Sequence, residues 1–254
     1  VERSRGLGDV YKRQTGTTLL VARSLGRNSI GVEVYSKYIK VAKKRLSQQL
    51  LIKNDATWKL YHGDARDLSM LKDNSIDLIV TSPPYWNKVK YGEEKNDLAN
   101  IDDYFDFIDN MKKVFKECYR VLKPGRRMCV VTANVHAMTK HGLVRFPLES
   151  DYIVACREIG FLLVSEVIWY KGPTGGPWGV SAGQRPIFGS YPYPTNFMIS
   201  NAVEPIHIFR KIGKRKVSKE IKERSRVTLE EFKKFRDAIW NDINGVEDKH
   251  CAAY

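Results

Sequence analysis

The tetrapeptide Ser82-Pro83-Pro84-Tyr85 constrains this chain more than any other stretch. It follows Ile76-Asp77-Leu78-Ile79-Val80-Thr81, whose apolar and β-branched residues read as a strand. Two consecutive prolines fix two φ angles, remove two backbone donors and hold the preceding residue extended. The strand therefore ends in a stiff loop, with a small hydroxyl before it and an aromatic face after it. Such a loop suits a flat, amine-bearing ring. Tyr85 can stack on the ring, while Ser82 and nearby carbonyls can accept hydrogen bonds from the exocyclic amine. Pro-Pro pairs also occur in plain turns, so the reading depends on what surrounds them.

Upstream, Thr15-Gly16-Thr17-Thr18-Leu19-Leu20-Val21-Ala22-Arg23-Ser24-Leu25-Gly26 reads as a Gly-containing loop, an amphipathic helix and a glycine stop. Ser29-Ile30-Gly31-Val32-Glu33 follows as a short apolar strand ending in an acid. An acid at a second strand tip, after a Gly loop and helix, is the usual clamp for ribose hydroxyls. A third strand, Trp58-Lys59-Leu60-Tyr61-His62, ends at Gly63-Asp64-Ala65-Arg66-Asp67. Each piece alone is a common turn or a surface acid. Their order before Ser82 is what carries the inference.

The series TGTT, GVEV, GDARDL and TSPPYW resembles the amino-methylating DNA methyltransferases, which use S-adenosylmethionine to methylate cytosine N4 or adenine N6. The resemblance spans roughly residues 15–254. It implies a Rossmann-like α/β fold: a seven-stranded, largely parallel sheet with helices on both faces and an irregular target-recognition insertion. The cofactor is expected across the carboxyl ends of the strands. By matching motif positions, the resemblance implies Glu33 on the ribose hydroxyls and Asp64 on the adenine amine. Thr15, Gly16 and Thr17 would lie beside the methionine portion. Ser82, Pro83, Pro84 and Tyr85 would hold the target base. A serine in this motif is more typical of the cytosine-N4 group, and aspartate or asparagine of the adenine-N6 group. Cytosine N4 is therefore the expectation, with adenine N6 as the alternative.

The ends depart from the family pattern. The family normally has an Asp-Pro-Phe-x-Gly run before the segment matching Thr15 to Thr18, where this chain has Val10-Tyr11-Lys12-Arg13-Gln14. Residues 1–14 have no apolar periodicity and are rich in Arg, Lys and Gly, so they are expected to be a non-native scar. Lys249-His250-Cys251-Ala252-Ala253-Tyr254 resembles the opening of a cofactor-side element. The expected layout is a catalytic core over 15–170, a recognition region with a basic segment over 171–248, and the start of a truncated element over 249–254.

Composition bounds the partners. Net charge is +14, which favours a polyanion, since phosphate contacts supply most non-specific DNA affinity. From Arg210 to Arg236, 12 Lys or Arg stand against four Glu, so this segment holds over half of the excess. Lys211, Lys214, Arg215 and Lys216 are its candidate phosphate contacts. Cys118, Cys129, Cys156 and Cys251 stand far apart, with no Cys-x-x-Cys pair and no His at metal spacing. The expectation is a cytoplasmic, free-thiol protein without a metal, a signal peptide or a membrane span.

The middle continues the α/β rhythm. Ile101 to Leu122 repeats apolar residues at three and four, with Asp102 and Asp103 in its first turn and Lys123-Pro124-Gly125 as its stop. Arg127 to Thr132 reads as a strand, Asp151 to Gly160 as a helix and Phe161 to Tyr170 as a strand. Lys171 to Pro194 then holds six glycines and five prolines, interleaved with Trp178, Phe188, Tyr191 and Tyr193. A loop this long and irregular on a rigid scaffold usually carries recognition. Its aromatics could stack on displaced bases, and Arg185 could read a guanine edge or bind phosphate. Glu204 to Arg210 reads as a returning strand, and Thr228-Leu229-Glu230-Glu231 as a capping box. Asn87 to Asn100 reads as a mobile flap over the site.

The implied partner is double-stranded DNA, with a cognate restriction enzyme as a possible companion in function. The base must leave the stack and lie on Tyr85, with Trp86 as a second platform. No strong general base is evident, so the proton is expected to leave to solvent or through Ser82. Two alternatives stand: an inactive DNA-binding remnant, and methylation of protein or RNA amines by the same Pro-Pro-Tyr chemistry.

Overall fold

The computed structural model describes residues 16–48, 55–170, 188–190, 193–197, 203–215 and 217–241. Helix α1, Thr17–Ser24, leads to strand β1, Ser29–Glu33, then to helix α2, Ser36–Gln48, and strand β2, Trp58–His62. β1 and β2 pair in parallel, with Glu33 opposite His62. Leu19 and Leu20 of α1 and Leu46 of α2 are buried together against Trp58 and Leu60.

A five-stranded sheet forms the rest of the scaffold. Its strands are β3 (Ile76–Thr81), β4 (Leu122–Val131), β7 (Phe161–Tyr170), β10 (Val203–Lys211) and β11 (Ile239–Trp240). Their spatial order is β11-β7-β10-β4-β3. β3 runs parallel to β4, whereas β10 is antiparallel to both β4 and β7. β5 (Val135–Thr139) and β6 (Gly142–Phe146) form a separate antiparallel hairpin, as do β8 (Phe188–Ser190) and β9 (Tyr193–Phe197). The expected single seven-stranded sheet is thus, among the described residues, a parallel pair and a five-stranded mixed sheet. Residues 10–14 lie outside the described part.

Helices α3, Tyr104–Val121, and α4, Leu148–Ile159, bury their apolar stripes on one face of the larger sheet. Phe107, Met111 and Phe115 of α3 and Tyr152 and Cys156 of α4 pack with Met128, Val130, Phe161 and Phe209. Asp103 caps α3 by accepting from the Asp106 N–H, so the helix begins at Tyr104, three residues after Ile101. The Lys123-Pro124-Gly125 stop falls inside β4, which pairs from Leu122 onward, and Gly125 takes φ +75° there. On the opposite sheet face Leu78 and Val80 remain exposed. Helices α5, Lys219–Arg224, and α6, Leu229–Arg236, carry the basic segment. Thr228 and Glu231 form the expected capping box.

β10 lies between β7 and β4 in the sheet. The region read as recognition therefore supplies an inner strand, and the boundary at residue 170 does not separate sheet from insertion. The Gly/Pro-rich stretch from Lys171, with Arg185, lies outside the described residues up to 187. Among the described residues no helix is long and apolar enough to cross a membrane. The described cysteines, Cys118, Cys129 and Cys156, are free, and no His/Cys/Asp/Glu group among the described residues could hold a metal.

Candidate active site

The end of β3, the end of β4 and the start of β10 meet at one edge. Thr81 pairs with Val130, and the Thr132 N–H donates to the Pro205 carbonyl at 3.2 Å. Ser82 therefore leaves β3 beside the end of its neighbour β4, with the start of β10 one strand further on. Pro83 is buried, and Ser82, Pro84 and Tyr85 are partly exposed.

Two residues far away in sequence brace this loop. The hydroxyl of Tyr152, a fully buried residue of α4, donates to the Pro84 carbonyl at 3.3 Å. Burial pushes that phenol well above its usual range, so it stays a donor. The Tyr85 hydroxyl donates to Oε2 of Glu204, a buried residue at the start of β10, at 3.2 Å. Neither Tyr152 nor Glu204 is marked by the sequence motif. The opening acid of the returning strand and the tyrosine on the inner face of α4 are the only signals.

Trp86 does not take the expected stacking role. Its backbone has φ +52°, unusual for a bulky residue, and its ring is buried against Tyr104 at 5.3 Å and Phe146 at 4.8 Å. That packing holds the strained turn in place and directs the indole into the core, away from any base.

The cofactor candidates lie at the β1–β2 corner. Gly16 precedes α1 at φ +79°, and a Cβ there would stand 3.0 Å from the Ala42 Cβ. Both its conformation and its closeness to α2 thus require glycine. Thr17 follows, its Oγ1 accepting from Arg45 at 3.3 Å. Thr15 lies outside the described residues. Glu33 ends β1, half-buried, and one carboxylate oxygen accepts from the Tyr35 N–H at 2.8 Å. Burial is the largest influence on this carboxyl and raises its pKa, with Asp97 adding repulsion. Asp64 is held by its neighbour: Oδ1 accepts from the Arg66 N–H at 2.8 Å and Oδ2 from the guanidinium at 2.6 and 2.9 Å. Carboxylate oxygens carry further lone pairs, so an amine can still bind there.

The segment after the base loop is pinned onto this corner. The Tyr35 hydroxyl donates to Oδ2 of buried Asp97 at 2.7 Å, and Lys37 Nζ donates to the Tyr91 carbonyl at 3.0 Å. A Cβ on Gly92 would stand 2.7 Å from the Tyr35 ring. Residues 87–100, expected as a mobile flap, instead bridge the base loop to the Glu33 tip.

Three of the expected DNA contacts separate from the site. Lys211 is buried and points inward: Nζ donates to the Tyr119 carbonyl and to Asn74 Oδ1, both at 2.7 Å. It satisfies carbonyl groups at the end of α3, which corrects its assignment to DNA. β10 antiparallel to β4 places Glu204 at the base-loop end and Lys211 at the other, about 23 Å apart at ~3.3 Å per residue. Lys214 and Arg215 lie beyond Lys211, their backbone against Gly125 at the start of β4. Lys216 lies outside the described residues.

Comparison with known proteins decides the family. The DNA methylase family of N6/N4 methyltransferases matches residues 76–252, and a methyltransferase-domain family matches residues 14–83. The chain belongs to the N6/N4 DNA methylase family. Type II methyltransferase M.MjaI of Methanocaldococcus jannaschii is 30% identical over 76% of this chain and 68% of its own length. Type II methyltransferase M.MthZI of Methanothermobacter thermautotrophicus is 28% identical, over 76% of this chain and 57% of that protein. The Thermus thermophilus protein TTHA0409, assigned as a DNA modification methylase, superposes with TM-score 0.56 at 28% identity. That match covers 86% of this chain and 68% of that one. TTHA0409 in complex with S-adenosyl-L-methionine gives the same TM-score at 29% identity. The chain thus spans between just over half and about two thirds of these relatives.

Proposed function

We propose that this chain carries the catalytic region of a DNA methyltransferase that methylates cytosine N4 of a flipped base, using S-adenosylmethionine. The observation that carries this reading is the Ser82-Pro83-Pro84-Tyr85 loop, braced by Tyr152 and Glu204 and tied through residues 87–100 to the Glu33 corner. The corner fits the cofactor. Gly16 leaves no side chain between α1 and α2, and Glu33 presents a half-buried carboxylate suited to vicinal hydroxyls. Glu33 would hold the ribose, Asp64 the adenine amine, and Gly16 and Thr17 the methionine end. When bound, S-adenosylmethionine supplies an electrophilic methyl group.

The residues of the chain do the rest. A cytosine amine is a poor nucleophile because its lone pair is delocalised into the ring. Ser82 and the Pro83 carbonyl accept its two N–H bonds, drawing the nitrogen towards a pyramidal shape. The Pro84 carbonyl already accepts from Tyr152, which ties the loop to α4. Tyr85 stacks on the base and is aligned by Glu204. Positioning supplies much of the rate. The amine proton leaves to solvent or through Ser82. Cys118, with its thiol pushed up to about 12 by burial, has no part in the step. A duplex with a flippable target is the substrate, and a restriction endonuclease reading the same sequence is the expected companion.

The test is transfer of labelled methyl groups to duplex DNA, followed by nucleoside analysis. N4-methylcytosine, lost in Ser82→Ala, supports the reading. N6-methyladenine overturns the base assignment, and label in RNA or protein but not in DNA overturns the substrate.

A further inference from the structure

The base-loop edge of the sheet has its own cationic surface, on an element that charge counting along the chain passes over. The β5–β6 hairpin follows the end of β4 after three intervening residues, 132–134. Its inner face, Val135, Ala137 and Phe146, packs on the core, and Phe146 closes on Trp86 of the base loop. On the other side of the hairpin, buried His136 pairs with exposed Arg145 across the strands. Lys88, three residues past Tyr85, completes the group, its backbone N–H donating to the Tyr85 carbonyl at 3.4 Å. Lys140 and His141 form the tip, set by Gly142 at φ +95° and by the Thr139 hydroxyl donating to the Gly142 carbonyl.

Lys88 and Arg145 are the charged members of this group, and both are exposed. Lys88 and Arg145 have no side-chain hydrogen bond or ion pair among the described residues. Burial lowers the pKa of His136, and Arg145 and Lys88 push it the same way. The acid within electrostatic reach of Arg145 is Glu149, which is partly buried and already accepts from the Asn134 N–H at 3.2 Å. Two exposed cations, Lys88 and Arg145, brought to one edge by the fold offer a site for an anion. Its position chooses the anion: a nucleotide entering the Ser82–Tyr85 loop brings its flanking phosphates to this edge.

Building on the DNA methyltransferase reading, we propose that Lys88 and Arg145 clamp the DNA backbone beside the flipped nucleotide. The hairpin tip, Lys140 and His141, extends the contact along the strand. Backbone contacts fix register and orientation without reading sequence, which is the task a base-flipping pocket needs done beside it. Lys214 and Arg215, at the opposite sheet end, do not take part.

The experiment measures binding of this chain to a fluorescein-labelled DNA duplex by anisotropy across a series of NaCl concentrations. Each phosphate contact contributes about 0.9 to the slope of log affinity against log salt. Lys88→Gln with Arg145→Gln should lower the slope by about 2 and the affinity at moderate salt by about 10-fold. Lys214→Gln with Arg215→Gln removes the same charge at the far end and should leave both unchanged. Thermal melts report folding of each variant. An undiminished slope in the Lys88/Arg145 variant, or equal losses in the two double variants, overturns the clamp and leaves the methyltransferase reading standing. Absence of salt-dependent duplex binding by the unmodified chain overturns that reading, and the clamp with it.

Discussion

The Tyr85 hydroxyl and the Glu204 carboxylate lie 3.2 Å apart, joining the base loop to a strand 119 residues further along the chain. The bond crosses from the end of β3 to the start of β10, the two strands that flank β4. It sets the tilt of the ring on which a base would stack. Glu204→Gln keeps an acceptor and should retain most activity. Glu204→Ala should raise the KM for DNA while leaving cofactor affinity intact. Tyr85→Ala removes the ring itself and should cost about 1–3 kcal/mol of base stacking. Steady-state methylation of the three variants checks this; a Tyr85→Ala enzyme with unaltered DNA kinetics removes the ring from the pocket.

The Tyr35–Asp97 hydrogen bond makes a second prediction. Asp97 is buried, accepts the Tyr35 hydroxyl at 2.7 Å and caps the short turn Leu98–Asn100 through the Ala99 N–H at 2.9 Å. Asp97→Ala leaves two donors unsatisfied, at about 1–3 kcal/mol for a buried group. The loss should appear locally, as faster amide exchange over residues 88–100 and weaker cofactor binding, because the Glu33 tip and this segment share Tyr35. Gly92→Ala should act in the same direction by pressing on the Tyr35 ring. Exchange unchanged in both variants would mean that the segment is held by other contacts.

What the sequence disclosed depended on how local the cause was. Thr228 and Glu231 are three residues apart and satisfy one another, so their capping box was readable as written. Phe161–Tyr170 has an apolar run bounded by a glycine and a Gly/Pro stretch, and forms β7 with those limits. Gly16 was readable because its positive φ is a local demand for glycine, whereas its close approach to Ala42 was not. Trp86 and Lys211 were misread for the opposite reason. An aromatic beside a base loop and a lysine in a basic run look like recognition. Tyr104 and Phe146 bury the first, and Asn74 and Tyr119 capture the second. The β5–β6 hairpin was missed because its strands are short and its apolar residues are split between inner and outer faces.

Lys211 turns that correction into a measurement. Its ammonium donates to two carbonyl oxygens near the end of α3 and to Asn74, and lies 4.7 Å from the Tyr119 ring centre. Burial lowers its pKa, and Asp73 partly opposes this. Lys211→Met keeps the stem and removes the donor, so it should destabilise the fold by about 1–3 kcal/mol. The affinity of the folded variant for duplex DNA should not change. A phosphate-contact residue would behave the other way, with stability kept and the salt slope reduced by about 1.

Glu33 is where stability and binding oppose each other. Burial raises its pKa above the ordinary carboxyl value, so the native state favours the protonated form more than the unfolded chain does. The sign follows from linkage: Glu33 favours folding fully below its unfolded pKa, and that favour is lost as pH rises through the higher native pKa. At neutral pH the ionised carboxylate is a cost to the fold, and on the proposed reading it is the acceptor for ribose hydroxyls. Glu33→Gln removes the charge and retains an oxygen for the Tyr35 N–H. It should therefore raise Tm at neutral pH, with the gain shrinking as pH falls through the acid range where wild-type Glu33 protonates. The same variant should bind S-adenosylmethionine more weakly at neutral pH. Melting curves across pH, paired with calorimetric cofactor titration, separate the two effects. A variant with lower Tm at neutral pH would mean that the Tyr35 and Val34 backbone bonds to the ionised carboxylate outweigh its burial. A variant with unchanged affinity would take Glu33 out of the cofactor site.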